Sequence, residues 1–175
     1  MVRFGYVFSL LAILSLACGV LSTPADAPTQ NTEELPELPN SALVDIYDPA
    51  RNPAQDLKWA LVYAQRESKR IMLELGGDWC IWCKHMDAFY ATHKDILQFR
   101  ADHYVLVKVN VSEENMNEKF LSQFPVAAGY PHIYILDRDG TFLHSQHTEK
   151  LEDGKDSYVP KVFMVFLQKW ALPEQ

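Results

Sequence analysis

The sequence is short of cysteine and short of positive charge. Only three of its 175 residues are cysteine. That number is too small for a mini-domain stapled by disulfides, and because it is odd the cysteines cannot all pair within one chain. Lysine and arginine total 16 against 23 acidic residues, a formal net charge of −7, which argues against a nucleic-acid binder with its usual basic face. The length fits one globular domain with appendages and excludes two full-sized domains.

The chain opens with an apolar segment. Residues 4–21 carry no charge and follow a single basic residue, Arg3, which is the layout of a signal peptide. We therefore expect residues 1–21 to be a leader that exports the protein to the periplasm or to the outer side of a membrane. The four residues that end at Cys18 resemble a bacterial lipobox with its first two positions exchanged, so Cys18 is a lipidation candidate. Cleavage without lipidation and an uncleaved membrane anchor remain open.

A proline-rich acidic segment follows the leader. Four prolines stand among polar and acidic residues between positions 22 and 44, a composition that cannot bury a core. We expect residues 22–44 to be a linker and residues 45–175 to form the folded domain. The leader, or a lipid on Cys18, would then tether this domain to a membrane.

Helical and strand patterns alternate within the domain. Apolar residues at helical spacing, or apolar runs bounded by turn residues, predict the helices 53–69, 80–90 with a continuation over 93–100, 115–124 and 159–170, and the strands 71–75, 104–111, 133–136 and 141–144. The order of elements is then αβαβαββα. An α/β sandwich of three layers follows, with a central mixed β-sheet flanked by helices.

The two remaining cysteines form a lone Cys-x-x-Cys, Cys80 and Cys83, where a strand gives way to a helix. At a helix N-terminus, unpaired backbone N–H groups and the helix dipole favour a thiolate over a thiol, so the pKa of Cys80 should fall toward neutrality. Cys83 follows one helical turn later, near enough to attack a mixed disulfide on Cys80. The spacing therefore predicts a redox couple.

Other uses of the pair are weighed against this one. A structural zinc site needs four ligands, and the domain has no further cysteine. Covalent haem attachment needs a histidine directly after the second cysteine, where Lys84 stands. We therefore expect no metal in the resting protein. Two alternatives stay open: a disulfide that is only structural, and a metallochaperone module that holds Cu(I) on Cys80 and Cys83 with His132 or a partner group.

The surroundings of the pair resemble the thioredoxin family. The strand at 71–75, the Gly-Gly-Asp that follows it and the Trp-Cys-Ile-Trp-Cys-Lys turn at 79–84 match the family's active-site region, and the order of elements agrees over roughly residues 53–171. The chain looks most similar to exported bacterial thioredoxin-like proteins related to the C-terminal domain of the transmembrane disulfide reductase. The resemblance implies a thioredoxin fold.

The same resemblance implies roles for particular residues. Glu74, six residues before Cys80, occupies the place of the buried acid that accepts the proton of the second cysteine, and Lys108 falls where thioredoxin has a lysine beside that acid. Pro131 matches the cis-proline of the loop that faces the cysteines. Tyr130 before it is bulkier than the usual residue, and one tryptophan stands beside each cysteine. Trp79, Trp82 and Tyr130 are therefore expected to form an apolar rim that contacts a docking polypeptide.

The function that the resemblance implies is thiol–disulfide exchange with protein substrates outside the cytoplasm. No cofactor beyond a redox-active Cys80–Cys83 disulfide is needed, and an upstream redox partner such as a membrane disulfide reductase would renew it. The residues between the cysteines are Ile81 and Trp82. A histidine there would favour an oxidase, so its absence favours the reductase direction. We expect a monomer.

Overall fold

The computed structural model describes residues 43–173 of the chain. The leader, Cys18 and all but the last two residues of the expected linker lie outside the described residues. Within them the helices are α1 (Pro53–Glu67), α2 (Ile81–Thr92), α3 (Lys94–His103), α4 (Glu118–Leu121) and α5 (Pro160–Trp170), and the strands are β1 (Arg70–Gly76), β2 (Tyr104–Asn110), β3 (His132–Leu136) and β4 (Phe142–His147). No helix in this described part has the length and apolar character needed to cross a membrane.

The four strands form one mixed sheet in the order β2-β1-β3-β4. β1 and β2 run parallel, while β3 is antiparallel to both β1 and β4. In this register Glu74 of β1 lies directly opposite Lys108 of β2. The predicted order of elements and the predicted mixed sheet are both confirmed.

Each face of the sheet is covered by its own apolar cluster. On one face, Met72 and Ile133 pack with Met86 of α2 and Phe163 of α5. On the other face, residues of β1 such as Leu73 pack with the α1 alanines and with Phe120 of α4. Alternate residues of β1 thus enter opposite layers, which is why this central strand is apolar almost throughout. Glu74 interrupts that apolar run on the face that α2 covers.

The start of α1 follows from two side chains. Asn52 accepts hydrogen bonds from the backbone N–H groups of Ala54 and Gln55, and Pro53 fills the first helical position. Both are preferred choices at a helix N-terminus. The helix ends at Glu67 because Ser68 takes a left-handed conformation with φ of 53°, so the predicted end at residue 69 is two residues too late.

The predicted helix over 115–124 is wrong in length. Only Glu118–Leu121 is helical, and Asn117 before it has a φ of 49°. The Asn115 carboxamide accepts a hydrogen bond from the Asn117 N–H, a local bond that competes with the helix. A short 3₁₀ helix over Thr148–Leu151 was not expected from the sequence, and β4 extends to His147, three residues beyond its predicted end.

Candidate active site

Cys80 and Cys83 form a disulfide at the N-terminus of α2. Cys80 is the N-cap residue, and its Sγ accepts a hydrogen bond of 3.1 Å from the Cys83 backbone N–H. The side chains are almost fully enclosed, with exposed fractions of 3% and 1%. After reduction the same N–H group and the helix dipole would stabilise a thiolate on Cys80. The predicted placement of Cys80 at a helix N-terminus is confirmed.

The two tryptophans beside the cysteines have different surroundings. Trp79 is 58% exposed, its indole N–H donates a 2.7 Å hydrogen bond to the Val111 carbonyl, and its ring meets Tyr130 edge-on at 5.8 Å. Trp82 is half-buried and packs edge-on against His85 and Tyr158. The structure therefore brings Trp79 and Tyr130 together at the surface, while Trp82 lies between the cysteines and the core.

The loop before β3 carries a cis peptide bond between Tyr130 and Pro131, as the resemblance implied. Pro131 is buried, and the Thr148 hydroxyl donates a 2.5 Å hydrogen bond to its carbonyl. Tyr130 packs against the cluster that contains both cysteines. The 3₁₀ helix that the sequence did not predict thus holds the loop that lies against the disulfide.

A cavity of about 600 Å³ opens beside Trp79. Its apolar lining comes from Trp79, Val111, Met116 and Tyr130, and three exposed carboxylates border it, those of Asp78, Glu113 and Glu114. The cavity therefore has an apolar lining and a negatively charged border beside Trp79, the residue directly before Cys80.

Glu74 is fully buried, with an exposed fraction of 0%. Its Oε1 accepts a 2.7 Å hydrogen bond from the Tyr47 hydroxyl and lies 3.7 Å from Lys108 Nζ. Its Oε2 has no hydrogen-bond partner among the described residues. Burial raises the pKa of Glu74 above its ordinary value, and the charges of Lys108 and Arg100 offset only part of that rise. The carboxyl group is therefore suited to take up a proton.

Lys108 joins the buried carboxylate to two acidic residues at the surface. Its Nζ lies 2.6 Å from Asp87 of α2 and 3.3 Å from Asp45, which precedes α1. Burial alone would lower the pKa of Lys108, but Glu74, Asp87 and Asp45 outweigh it and hold the pKa above its ordinary value. The lysine therefore stays charged, and its predicted place beside Glu74 is confirmed.

The approach of these groups depends on Gly76, the last residue of β1. A Cβ atom at this position would lie 2.4 Å from Cys83 Sγ and 2.9 Å from both Cζ and the hydroxyl oxygen of Tyr47. Neither contact is sterically possible, so only glycine allows the disulfide and Tyr47 to approach the strand at this point.

Sequence reasoning missed four residues of the site: Tyr47, Asp45, Asp87 and Arg100. Asp87 follows Cys83 by four residues on α2, so helical spacing could have placed it on the same side. Tyr47 is separated from Glu74 by 27 positions, and no local pattern connects them. It reaches the site through tertiary packing alone.

The structure offers no support for the copper alternative. Among residues 43–173, no three histidine, cysteine or acidic side chains converge in a way that could hold a metal ion. His132, the expected third ligand, is buried on β3 with its Nε2 2.7 Å from the Ser145 hydroxyl. Burial, together with His147 and His144, lowers its pKa to about 4.

A cis-proline loop beside a Cys-x-x-Cys disulfide, where the two central strands of a β2-β1-β3-β4 sheet end and begin, defines the thioredoxin class of redox proteins. The thioredoxin-like family model matches residues 52–138. The chain therefore contains a thioredoxin-like domain, and its sequence relatives place it among the thiol–disulfide oxidoreductases.

Two curated relatives illustrate that placement. The disulfide bond reductase DsbH of Chlamydia pneumoniae is 28% identical over 123 residues, which cover 62% of this chain and 72% of the relative. The thiol:disulfide interchange protein DsbD of Citrobacter koseri is 31% identical over 77 residues, which cover 44% of this chain but only 13% of the relative. The chain thus matches most of DsbH and a small part of DsbD.

Solved structures support the same fold. A disulphide isomerase from Xylella fastidiosa Temecula1 superposes with a TM-score of 0.60 at 22% identity, covering 70% of this chain and 94% of that one. The reduced C-terminal domain of DsbD from Neisseria meningitidis gives a TM-score of 0.50 at 19% identity, covering 67% and 96%. At these identities the comparison establishes the fold alone.

Proposed function

We propose that this protein is an extracytoplasmic thiol–disulfide oxidoreductase that reduces disulfides in protein substrates. The observation that carries the proposal is the Cys80–Cys83 disulfide at the N-terminus of α2, with the buried Glu74 carboxylate on the strand behind it. The pair supplies the electrons, so the reaction requires no bound cofactor.

The first step uses the thiolate of Cys80. It attacks one sulfur of a substrate disulfide held across the Pro131 loop, a mixed disulfide forms on Cys80, and the other substrate sulfur leaves as a thiolate. Helix α2 lowers the free energy of the attacking thiolate through the same backbone N–H that now bonds Cys80 Sγ.

The second step uses Cys83. Its thiol gives a proton to Glu74, and the resulting thiolate attacks Cys80 Sγ, which restores the Cys80–Cys83 disulfide and releases the reduced substrate as a thiolate. Lys108, 3.7 Å from Glu74, offsets part of the rise that burial causes in the pKa of this acid and so favours its ionised, proton-accepting form.

Substrate contact is assigned to the rim around Trp79. An extended polypeptide could place an apolar side chain in the cavity that Trp79, Met116 and Tyr130 line. The exposed indole of Trp79 offers a rigid apolar surface next to Cys80, and Trp82 supports the opposite side of the pair. The carboxylates around the cavity favour a polypeptide with positive charge near its cysteine.

Export, membrane attachment and direction complete the proposal. The apolar leader over residues 4–21 supports export, and Cys18 or the leader would supply the tether. The pair Ile81-Trp82 between the cysteines, and the printed name of the DsbH relative, support the reductase direction. An upstream reductant, such as a membrane disulfide reductase, must then renew the dithiol of a monomeric domain.

The test is a trapped intermediate. A Cys83→Ser variant, reduced and mixed with a protein disulfide, should accumulate a covalent complex through Cys80 that dithiothreitol dissolves. The matched Cys80→Ser variant should form none. If Cys83→Ser forms no mixed disulfide, or if the wild-type protein holds Cu(I) stoichiometrically and never turns over a disulfide, the proposal is wrong.

The redox potential decides the direction separately. Equilibration of the Cys80–Cys83 couple with glutathione measures it, and a value near that of thioredoxin, about −270 mV, would support the reductase direction. A value near that of a strong oxidant, about −120 mV, would reverse the proposed flow of electrons.

A further inference from the structure

A short segment before α1 forms part of the active site. Residues 43–52, here called the strap, run from Leu43, which lies by Tyr104 at the start of β2, to Tyr47, which lies by the cysteines, and on to α1. Asp45 of the strap contacts Arg100 and Lys108, and the Pro49 carbonyl accepts a hydrogen bond from the Asn115 side chain. The thioredoxin-like family match begins only at residue 52, so almost all of the strap lies outside it.

Tyr47 is the residue of the strap that meets the disulfide. It is buried and forms one apolar cluster with Cys80 and Cys83. Its hydroxyl donates to Glu74 Oε1 at 2.7 Å, and that hydroxyl and Cys83 Sγ border the same point beside Gly76. Tyr47 therefore contacts both the acid that must receive a proton and the cysteine that must lose one.

We infer that the hydroxyl of Tyr47 relays the proton of Cys83 to Glu74 during the resolving step. The Cys83 thiol gives its proton to the tyrosine oxygen while the tyrosine O–H proton moves to Glu74 Oε1. Cys83 leaves as a thiolate, Glu74 as a neutral carboxyl, and Tyr47 ends as it began, with one proton. This inference rests on the proposed function, because it concerns the second step of the same exchange.

The charges around Tyr47 suit a group that passes protons without ionising. Lys108 Nζ lies 4.7 Å from the centre of the Tyr47 ring. Three further charged groups surround Lys108 and Glu74: Asp87 of α2, Asp45 of the strap and Arg100 of α3. Burial, and then Glu74, raise the pKa of Tyr47 well above its ordinary value. The hydroxyl thus keeps a proton at every working pH and can hand one on only as it receives another.

The principal test is the variant Tyr47→Phe, which keeps the ring over Lys108 and removes the hydroxyl. Reduced full-length protein is mixed with a peptide that contains a disulfide. Samples are quenched with acid, and mass spectrometry follows the decay of the mixed disulfide between protein and peptide. At neutral pH the decay should slow by about 100-fold, at the low end of general acid–base effects. The loss should shrink as the pH rises, because hydroxide then removes the Cys83 proton directly.

A matched control removes a different buried hydroxyl. Tyr104 is also buried, and its hydroxyl donates to the Leu167 carbonyl of α5 at 2.6 Å. Tyr104→Phe should leave the decay rate and its pH profile unchanged. Equal decay in Tyr47→Phe and wild type across the pH range would overturn the relay, as would equal slowing in Tyr104→Phe.

Two further measurements test the relay, and the second uses only the wild-type protein. In the double variant Tyr47→Phe with Glu74→Gln, the mixed disulfide should decay no more slowly than in Glu74→Gln alone. Without the Glu74 carboxylate the Tyr47 hydroxyl has no acceptor for its proton, so its removal has no further effect. In the wild type, a plot of the decay rate against the deuterium fraction of the solvent should be curved, because two protons move together. Additive losses or a straight line would overturn the relay. If the wild type forms no mixed disulfide at all, the proposed function fails first.

Discussion

At the scale of single residues, two buried ionisable groups change the free energy of unfolding in opposite directions as the pH rises. Glu74 has a raised pKa, so the native state keeps its proton to a higher pH than the unfolded chain does. Its contribution to stability is present at acidic pH and is lost as the pH rises through the native pKa. The buried Glu74, which the proposed reaction uses, therefore contributes less to the free energy of unfolding at neutral pH than at acidic pH.

His132 acts in the other direction. Its pKa is lowered from 6.5 to about 4, mainly by burial. Between these two pH values the histidine is protonated in the unfolded chain and neutral in the native state. The free energy of unfolding should therefore fall as the pH drops from about 6.5 to about 4. A His132→Asn variant should lose that part of the slope, which is worth at most about 3 kcal/mol.

Urea unfolding at several pH values checks this prediction. The difference between wild type and His132→Asn isolates His132 from Glu74, because both proteins contain the acid. Parallel curves for wild type and His132→Asn would contradict the prediction.

At the scale of secondary-structure elements, the strap should behave as part of the domain. A chain that starts at Leu43 should resolve mixed disulfides as the full chain does. A chain that starts at Asn52 keeps the N-cap of α1 but loses Tyr47 and Asp45, which leaves Glu74 and Lys108 without those partners. Loss of the buried strap side chains should cost about 2–4 kcal/mol.

Urea unfolding and the mixed-disulfide assay measure the two truncations side by side. Both truncated chains retain every residue of the family match, so a difference between them belongs to the strap. Equal stability and equal resolution rates would show that the strap is dispensable.

The sequence was sufficient for most elements and for the motif residues of the site. Periodicity located the strands and long helices because burial on one or two faces leaves a repeat in the chain. It failed at α4, where Asn115 and Asn117 bond locally to the backbone. In the site, Cys80, Glu74 and Pro131 follow from position relative to a motif, whereas the contact between Tyr47 and Glu74 exists only after the chain has folded.

At the scale of the whole molecule, the disulfide contributes little to the fold. Two apolar clusters cover the two faces of the sheet, and the bridge closes a loop with a sequence separation of only three. Loop-closure entropy for so short a loop limits its contribution to about 2 kcal/mol. We therefore expect the reduced domain to stay folded.

Denaturant unfolding with and without dithiothreitol checks that expectation. The two unfolding free energies should differ by less than about 2 kcal/mol, and the far-ultraviolet circular dichroism should be the same. Collapse of the fold on reduction would instead identify Cys80–Cys83 as a structural bridge.

The hydrogen-bonded indole of Trp79 should report the redox state of the cysteine pair by its intrinsic fluorescence. The hydrogen bond to Val111 holds the ring in one orientation, and the ring belongs to the residue directly before Cys80. A nearby disulfide quenches an excited indole by accepting an electron from it. The emission of Trp79 should therefore brighten when the pair opens, so that turnover can be followed in real time with no dye attached.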